Sequence, residues 1–162
     1  MYGEFKKVFL HKIAAEKFRT AARLLEHEAP GMKFLILDAL RPRAVQHVLW
    51  NHLEGKDRAS YVADPVRGSN HNFGFAVDLT LLGPHYRELD MGTSFDSFQE
   101  LAQPQREEHF LSEGRLTSDH VAHRRLLRKV MEGAGFIQLP HEWWHYDAVP
   151  REVVRARFPI VE

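Results

Sequence analysis

Near its C-terminus the chain spells H-E-x-x-H, through His141, Glu142 and His145. On a helix of several turns, this pattern is typical of two zinc ligands on one face with a general base between them. Here the stretch is bounded by Pro140 and Pro150, and its aromatic residues favour a strand. Six positions beyond the second histidine, where one class of zinc peptidases has its third ligand, the chain has an arginine. The helical zinc-peptidase interpretation is therefore weak.

A second set of metal-binding residue types lies far upstream, in SNHNFGFAVDLTLL. His71 and Asp78 are seven positions apart, so on one continuous strand their side chains would face opposite sides. Gly74 allows a turn between them, which predicts His71 on the entering loop and Asp78 on the strand. A carboxylate in an apolar strand either faces the polar side or is buried and paired with a cation. With one histidine from 141 or 145, these residues predict a three-ligand metal site that is open to water.

Composition limits the chemistry further. The chain has no cysteine, so disulfides, thiolate metal sites and cysteine nucleophiles are excluded, and a metal must be held by His, Asp or Glu. Lys and Arg together number 22, as do Asp and Glu, and this balance argues against nucleic-acid binding. No stretch approaches the roughly 20 apolar residues of a membrane span, and the lysine-bearing N-terminus is not typical of a signal peptide. We therefore expect a cytoplasmic protein with no nucleic-acid or membrane partner.

Helical periodicity predicts three helices that position these residues. The first spans residues 11–28 and is ended by Pro30-Gly31. The second opens at Arg41-Pro42, where proline suits the first turn. The third starts at a Ser118 cap and runs to about residue 132. The apolar face predicted for the second helix consists of Val45, Val48, Leu49 and Leu53.

Short apolar runs predict strands at 33–37 and 75–82, and FIQL with WWHYDAV predicts a closing hairpin. The segments 54–72 and 83–117 are predicted loops, of which the second is long enough to be functional. Helices and strands do not alternate at the spacing of a parallel sheet. We therefore expect a single domain over residues 1–162, of α+β class, with helices packed on a mainly antiparallel sheet.

Several motifs also occur together in the order of a known family. SNHNFGFAVDLTL resembles the S-x-H-x-x-G-x-A-x-D-L-T-L motif of D-alanyl-D-alanine dipeptidases of the vancomycin-resistance (VanX-like) type. These zinc metallopeptidases are grouped with D-Ala-D-Ala carboxypeptidases and the hedgehog signalling domain. EWWHY is similar to the second zinc motif of the family, and LDALRP, LDMGTSFD and HRRLLRKVMEGAGF resemble other segments of it. The resemblance covers about residues 11–148.

This resemblance implies the fold of the hedgehog and D,D-peptidase group and one zinc ion per chain. The zinc ligands that it implies are His71, Asp78 and His145. It also implies Glu142 as catalytic base and Arg41 as the residue that stabilises the transition state. Ser69 and Asp96 fall where the family holds its substrate, and Asp96 would accept the free α-amino group. His141 matches no ligand of the family. The resemblance therefore implies that His141 does not bind zinc and that the H-E-x-x-H pattern arises by coincidence.

The activity implied by the resemblance is zinc-dependent hydrolysis of D-alanyl-D-alanine or a related small D-dipeptide. An alternative on the same scaffold is a peptidoglycan D,D- or L,D-carboxypeptidase or endopeptidase. An alternative of another class is a non-catalytic zinc-binding interaction domain, which the retention of Glu142 and Arg41 speaks against. The chain departs from the family at Leu40, where tyrosine is usual, and it carries less N-terminal sequence than these enzymes usually do. Both departures concern the pocket, and therefore substrate size more than chemistry.

Overall fold

The computed structural model describes residues 7–52 and 62–162. The α-helices of these residues are α1 (Lys12–Glu28), α2 (Arg43–His52), α3 (Glu107–Ser112), α4 (Ser118–Gly133) and α5 (Arg151–Arg157). The strands are β1 (Lys33–Asp38), β2 (Ala76–Leu82), β3 (Ile137–Gln138) and β4 (His145–Asp147). The prediction of an α+β fold with an antiparallel sheet is confirmed. No helix in the described part of the chain has the length and apolar content needed to cross a membrane.

The sheet has the order β1-β2-β4-β3, and all neighbouring strands are antiparallel. Strand β2 is therefore central, between β1 and β4. The register places Asp78 opposite Asp38 of β1 on one side and opposite His145 of β4 on the other. The β1 ladder shifts register between Ile36 and Asp38 just before this level. The sheet thus brings three polar side chains from sequence-distant strands to one level.

The hydrophobic core surrounds the central strand. Helices α1 and α4 contact each other, α1 also contacts β1, and α4 also contacts β2 and β3. These elements contribute the large core side chains Leu25, Leu79, Leu81, Leu127 and Met131, and β4 with the turn before it contributes Trp143, Trp144 and Tyr146. Every residue of β2 before Leu82 is buried, so its pattern is not the half-buried alternation of a surface strand. Asp78 is consequently a buried carboxylate in a strand whose other buried residues are mostly apolar.

Helix α2 is confirmed, but its predicted apolar face is wrong in part. Val48 is 60% exposed, whereas Gln46 is fully buried. Leu53 lies outside the described residues. The reason is that the inner side of α2 meets polar groups: the Gln46 side chain accepts a hydrogen bond from Arg41 and donates one to the carbonyl of Ala63.

Other differences concern short elements. The described part of the predicted 54–72 loop includes the start of a 3-10 helix, Asn70–Phe73, and the 83–117 segment includes helix α3. Helix α5 was not predicted. The α4 cap is Thr117 and not Ser118, because the Thr117 hydroxyl accepts the hydrogen bond from the His120 amide. Periodicity cannot detect elements of one or two turns, which bury few residues each.

Candidate active site

A sharp turn delivers His71 to the start of the central strand. The 3-10 helix that contains His71 ends at Gly74, which has a φ of 72°. A side chain at this position would be strained, and its Cβ would lie 2.9 Å from the backbone nitrogen of His11. The chain then enters β2, and Asp78 comes to lie beside His71. The turn that the sequence predicts at Gly74 is confirmed.

The side chains of His71, Asp78 and His145 converge on one point. His71 Nε2 lies 3.2 Å from Asp78 Oδ2 and 3.2 Å from His145 Nδ1. His145 Nδ1 lies 2.9 Å from Asp78 Oδ1. All three residues are buried, and one ligand atom from each fits within a group whose members are at most 4.8 Å apart. These residues could therefore hold a metal ion.

The tautomers of the two histidines support this fit. His71 Nδ1 lies 2.6 Å from the carbonyl oxygen of Ala39, which can only accept, so Nδ1 carries the proton. His145 Nε2 lies 3.1 Å from a carboxylate oxygen of Asp147 and carries the proton of that ring for the same reason. In the neutral rings, His71 Nε2 and His145 Nδ1 are then lone-pair acceptors that face each other and the Asp78 carboxylate. Three acceptors in a buried space are matched to a cation.

The charges of the site point the same way. Burial favours the neutral form of Asp78, but His71 and His145 outweigh it and hold the pKa of this carboxyl well below its usual range. Burial likewise opposes the charged form of His145, while Asp147 and Asp78 raise its pKa well above the ordinary value. Without metal, the His145 ring therefore favours its charged form, with a second proton on Nδ1 in addition to the one on Nε2. A metal ion that takes this place releases the proton, so metal binding is expected to weaken as the pH falls.

Glu142 stands beside the metal-binding group. Residues 141–144 form turns and an irregular link, not a helix, before His145 begins β4. The Glu142 carboxylate lies 3.9 Å from His145 Nδ1. Burial raises its pKa above the usual value and Asp78 adds to this effect, whereas His145 opposes it. A partly buried carboxylate next to an open metal position is suited to proton transfer.

Arg41 lies in the short link between β1 and α2 and approaches the same group. Its guanidinium donates to Asp38 Oδ2 from Nη2 at 2.5 Å and from Nε at 2.8 Å, and Nη2 lies 3.9 Å from Asp78 Oδ2. Nη1 donates to Gln46 Oε1 at 3.0 Å. Two carboxylates directly opposite each other on neighbouring strands repel, and Arg41 compensates this repulsion. Arg41 therefore forms an ion pair with Asp38 and at the same time places its guanidinium beside the metal-binding group.

A cleft of about 580 Å³ connects these groups to the surface. The predicted site residues that line it are Arg41, Ser69, His71, Asp78, Asp96, Glu142 and His145. Ser69 is buried next to the 3-10 helix, and its backbone N–H donates to the Asn72 side chain. The structure thus brings every predicted site residue to one cleft, while their individual roles remain predictions.

Asp96 lies on a loop that two core side chains anchor. The buried Arg124 donates to the carbonyls of Met91 and Leu101, and Trp143 Nε1 donates to Thr93 Oγ1 at 2.8 Å. The Asp96 side chain remains accessible from the cleft. The surrounding protein nevertheless removes part of the water around the carboxyl, and this desolvation raises the pKa of Asp96 to about 6. The negative charge of Asp78 raises the pKa further, whereas Arg41 opposes the effect.

His141 and the tryptophans behave differently from the other residues of the C-terminal motif. His141 is exposed on the cleft wall, lies 3.5 Å from the Gln105 amide nitrogen, and is outside the metal-binding group found among the described residues. Trp143 and Trp144 do not line this cleft. They form an edge-to-face pair in the core instead.

Sequence reasoning missed four supporting residues. Asp147 binds the far nitrogen of His145, Gln46 holds Arg41, and the buried Asn72 donates to the Arg41 carbonyl at 2.6 Å. Arg151 lines the cleft from the first turn of α5. The spacing of Asp147, two residues after a strand histidine and hence on the same face, was a readable signal. The other three depend on tertiary contacts that spacing does not reveal.

Comparison with known proteins agrees with this geometry. A family model described as D-ala-D-ala dipeptidase matches residues 1–161. A D-alanyl-D-alanine dipeptidase of Escherichia coli (strain K12) is 33% identical over 141 residues, which are 87% of this chain and 67% of the relative. Proteins of the same name from Synechocystis and Enterococcus faecalis are 29% and 37% identical. They are matched over 73% and 50% of this chain and over 60% and 37% of their own lengths. The chain thus spans about two thirds or less of these relatives, and it belongs to the D-alanyl-D-alanine dipeptidase family of metallopeptidases.

Proposed function

We propose that this chain hydrolyses D-alanyl-D-alanine, or a related small D-dipeptide, with one zinc ion in the His71, Asp78 and His145 group. The observation that carries the proposal is the placement of Glu142 and Arg41 beside that group, on the wall of one cleft. A metal site used only for structure needs neither a base nor a second cation at an open position. The names of the E. coli and Synechocystis relatives support the same activity.

Zinc is proposed because of the donor set. Two imidazole nitrogens and one carboxylate oxygen are ligands that zinc accepts, and three protein ligands leave one position open in a catalytic site. The hydrogen bonds from His71 to the Ala39 carbonyl and from His145 to Asp147 orient both rings toward the ion. When bound, a zinc ion supplies a Lewis acid that lowers the pKa of water to about 7 and polarises a carbonyl.

The residues around the ion then divide the reaction between them. Glu142 accepts a proton from the attacking water molecule while the oxygen of that water bonds to the peptide carbonyl carbon. As the carbon–nitrogen bond breaks, Glu142 passes that proton to the departing amine, so that two amino acids leave. Arg41 stabilises the negative charge that develops on the carbonyl oxygen, since a guanidinium does not lose its proton at working pH. The Asp38 and Gln46 contacts hold this guanidinium in position.

The free amine of the dipeptide is assigned to Asp96. This carboxylate is accessible from the cleft and lies on a loop anchored by Arg124 and Trp143, so it offers a well-positioned negative charge in the same cleft as the metal group. Ser69 contributes a hydroxyl on the same wall. A site that binds the amine discriminates against N-blocked peptides. The peptidoglycan carboxypeptidase alternative requires the reverse preference, because its substrates carry an acylated amine.

A cytoplasmic location remains a prediction from the sequence.

The test is a panel of D,D-, L,D- and L,L-dipeptides with N-acylated counterparts, assayed with added zinc and after chelation. The proposal expects cleavage of free D,D-dipeptides, loss of cleavage with the chelator, and recovery with zinc. Cleavage of N-blocked substrates alone would replace the dipeptidase with the peptidoglycan peptidase. No hydrolysis of any member in the zinc-loaded protein would favour the non-catalytic interaction domain.

A further inference from the structure

We propose that Arg151 is a specificity-determining residue that binds the C-terminal carboxylate of the dipeptide substrate. The inference rests on the proposed function, because it assumes that a peptide occupies the cleft. Arg151 is the first residue of α5, it is partly buried, and it lines the same cleft as Glu142 and the metal-binding group. A partly buried cation that faces a substrate cleft calls for an anionic partner.

Among the described residues, no carboxylate lies within ion-pair distance of Arg151. The Arg151 side chain also makes no hydrogen bond to any described residue. The other cleft arginine differs, because Arg41 is engaged by Asp38 and Gln46. A neighbour on α5 differs as well, since Arg155 donates to the carbonyl of Gly68 at 2.7 Å. Among the described cleft residues, Arg151 is therefore the cation whose charge remains available to a ligand.

The charges left over in the cleft match a free dipeptide. Arg41 and Glu142 take part in the reaction, and Asp78 belongs to the metal group. Asp96 and Arg151 then remain as one negative and one positive side chain. A free dipeptide carries an ammonium group at one end and a carboxylate at the other. Guanidinium groups bind carboxylates through two parallel hydrogen bonds, which fixes orientation as well as charge.

This assignment adds a second requirement for substrate length. With Asp96 at the amine and Arg151 at the carboxylate, an additional residue at either end removes a charge-paired contact. Loss of a hydrogen bond to a charged group weakens substrate binding by about 10- to 100-fold. The contact is formed in both the ground state and the transition state, so its loss is expected to raise KM with little change in kcat.

The experiment compares D-alanyl-D-alanine with its C-terminal amide on the zinc-loaded wild type, Arg151→Gln and Arg151→Lys. We expect the wild type to prefer the free acid about 10- to 100-fold in kcat/KM. Arg151→Gln should lose about this factor in kcat/KM for the acid and far less for the amide, while Arg151→Lys should recover part of the preference. The matched control is Arg157→Gln, an exposed arginine on the same helix, which should retain the preference.

A second readout does not depend on turnover. In the Glu142→Gln background, D-alanyl-D-alanine binds without cleavage, and adding Arg151→Gln should raise its Kd by the same factor. Equal losses for acid and amide in Arg151→Gln, or a wild type that does not distinguish them, would overturn the inference while the dipeptidase proposal stands. A wild type that cleaves neither compound would overturn both.

Discussion

The variants Asp147→Asn and Asp147→Ala test whether His145, as a proposed metal ligand, depends on its hydrogen bond with Asp147. The Asp147 carboxylate lies 3.1 Å from His145 Nε2, and the two residues are 9% and 6% exposed. This hydrogen bond keeps the proton on Nε2 and leaves Nδ1 to bind metal. Without it, the ring loses both its orientation and part of its basicity.

The two substitutions should have graded effects. Asparagine can still accept a hydrogen bond from His145, so a charged interaction of about 1.5–3 kcal/mol becomes a neutral one of about 1 kcal/mol. The difference of about 0.5–2 kcal/mol corresponds to a loss of about 2- to 30-fold in zinc affinity. Alanine leaves the buried N–H unpaired, and we expect a loss of about 10- to 100-fold.

Zinc affinity is measured by competition with a chelating indicator, with Asp119→Asn as a control for an exposed aspartate. Turnover measured at saturating zinc separates a weaker metal site from a damaged catalyst, and it should fall far less than the affinity does. If both Asp147 variants bind zinc within twofold of the wild type, Asp147 does not orient His145 and the tautomer argument fails.

Three further predictions concern other parts of the molecule. His141→Ala should retain its zinc and His71→Ala should lose it, as measured by the metal content of the purified variants; a large loss in His141→Ala would revive the helical zinc-peptidase interpretation. Because Asp96 must be ionised to accept an ammonium group and its pKa is raised to about 6, kcat/KM should fall as the pH drops through that region. Bound zinc offsets the repulsion from Asp78 but not the desolvation of the carboxyl, so the midpoint should lie somewhat below this value. The Asp96→Asn variant should lose the Asp96 contribution to this fall and keep those of Glu142 and the metal group, and an unchanged profile would exclude Asp96 as the group that binds the amine. Leu127→Ala, at a fully buried core position, should lower the free energy of unfolding by about 2–5 kcal/mol in a denaturant titration, and a change below 1 kcal/mol would contradict the described core.

Long periodic elements could be predicted from the sequence, and short ones could not. Helices α1 and α4 each present an apolar face over four turns, and β2 is a continuous apolar run, so their patterns are clear. Helix α5 has seven residues and buries Val154 alone. Such a helix forms because tertiary contacts hold it, and its own residues give little periodic signal.

The site shows the same limit. The Gly74 turn made it possible to place His71 beside Asp78, because a glycine between two ligand types is a local signal. The buried side of α2 is different, since Gln46 is buried by its contacts with Arg41 and Ala63, which are made only in the fold. The orientation of the His145 ring likewise depends on Asp147 and Asp78 from neighbouring positions of the folded sheet.

The central claim is that Glu142 acts on substrate beside a metal held by three other residues. Its most direct test is to measure the zinc content and the kcat for D-alanyl-D-alanine of the wild type and Glu142→Gln in parallel. We predict one zinc ion per chain in both proteins and a kcat lower by about 10²- to 10⁴-fold in the variant. Near wild-type turnover in a fully zinc-loaded Glu142→Gln protein would contradict the account.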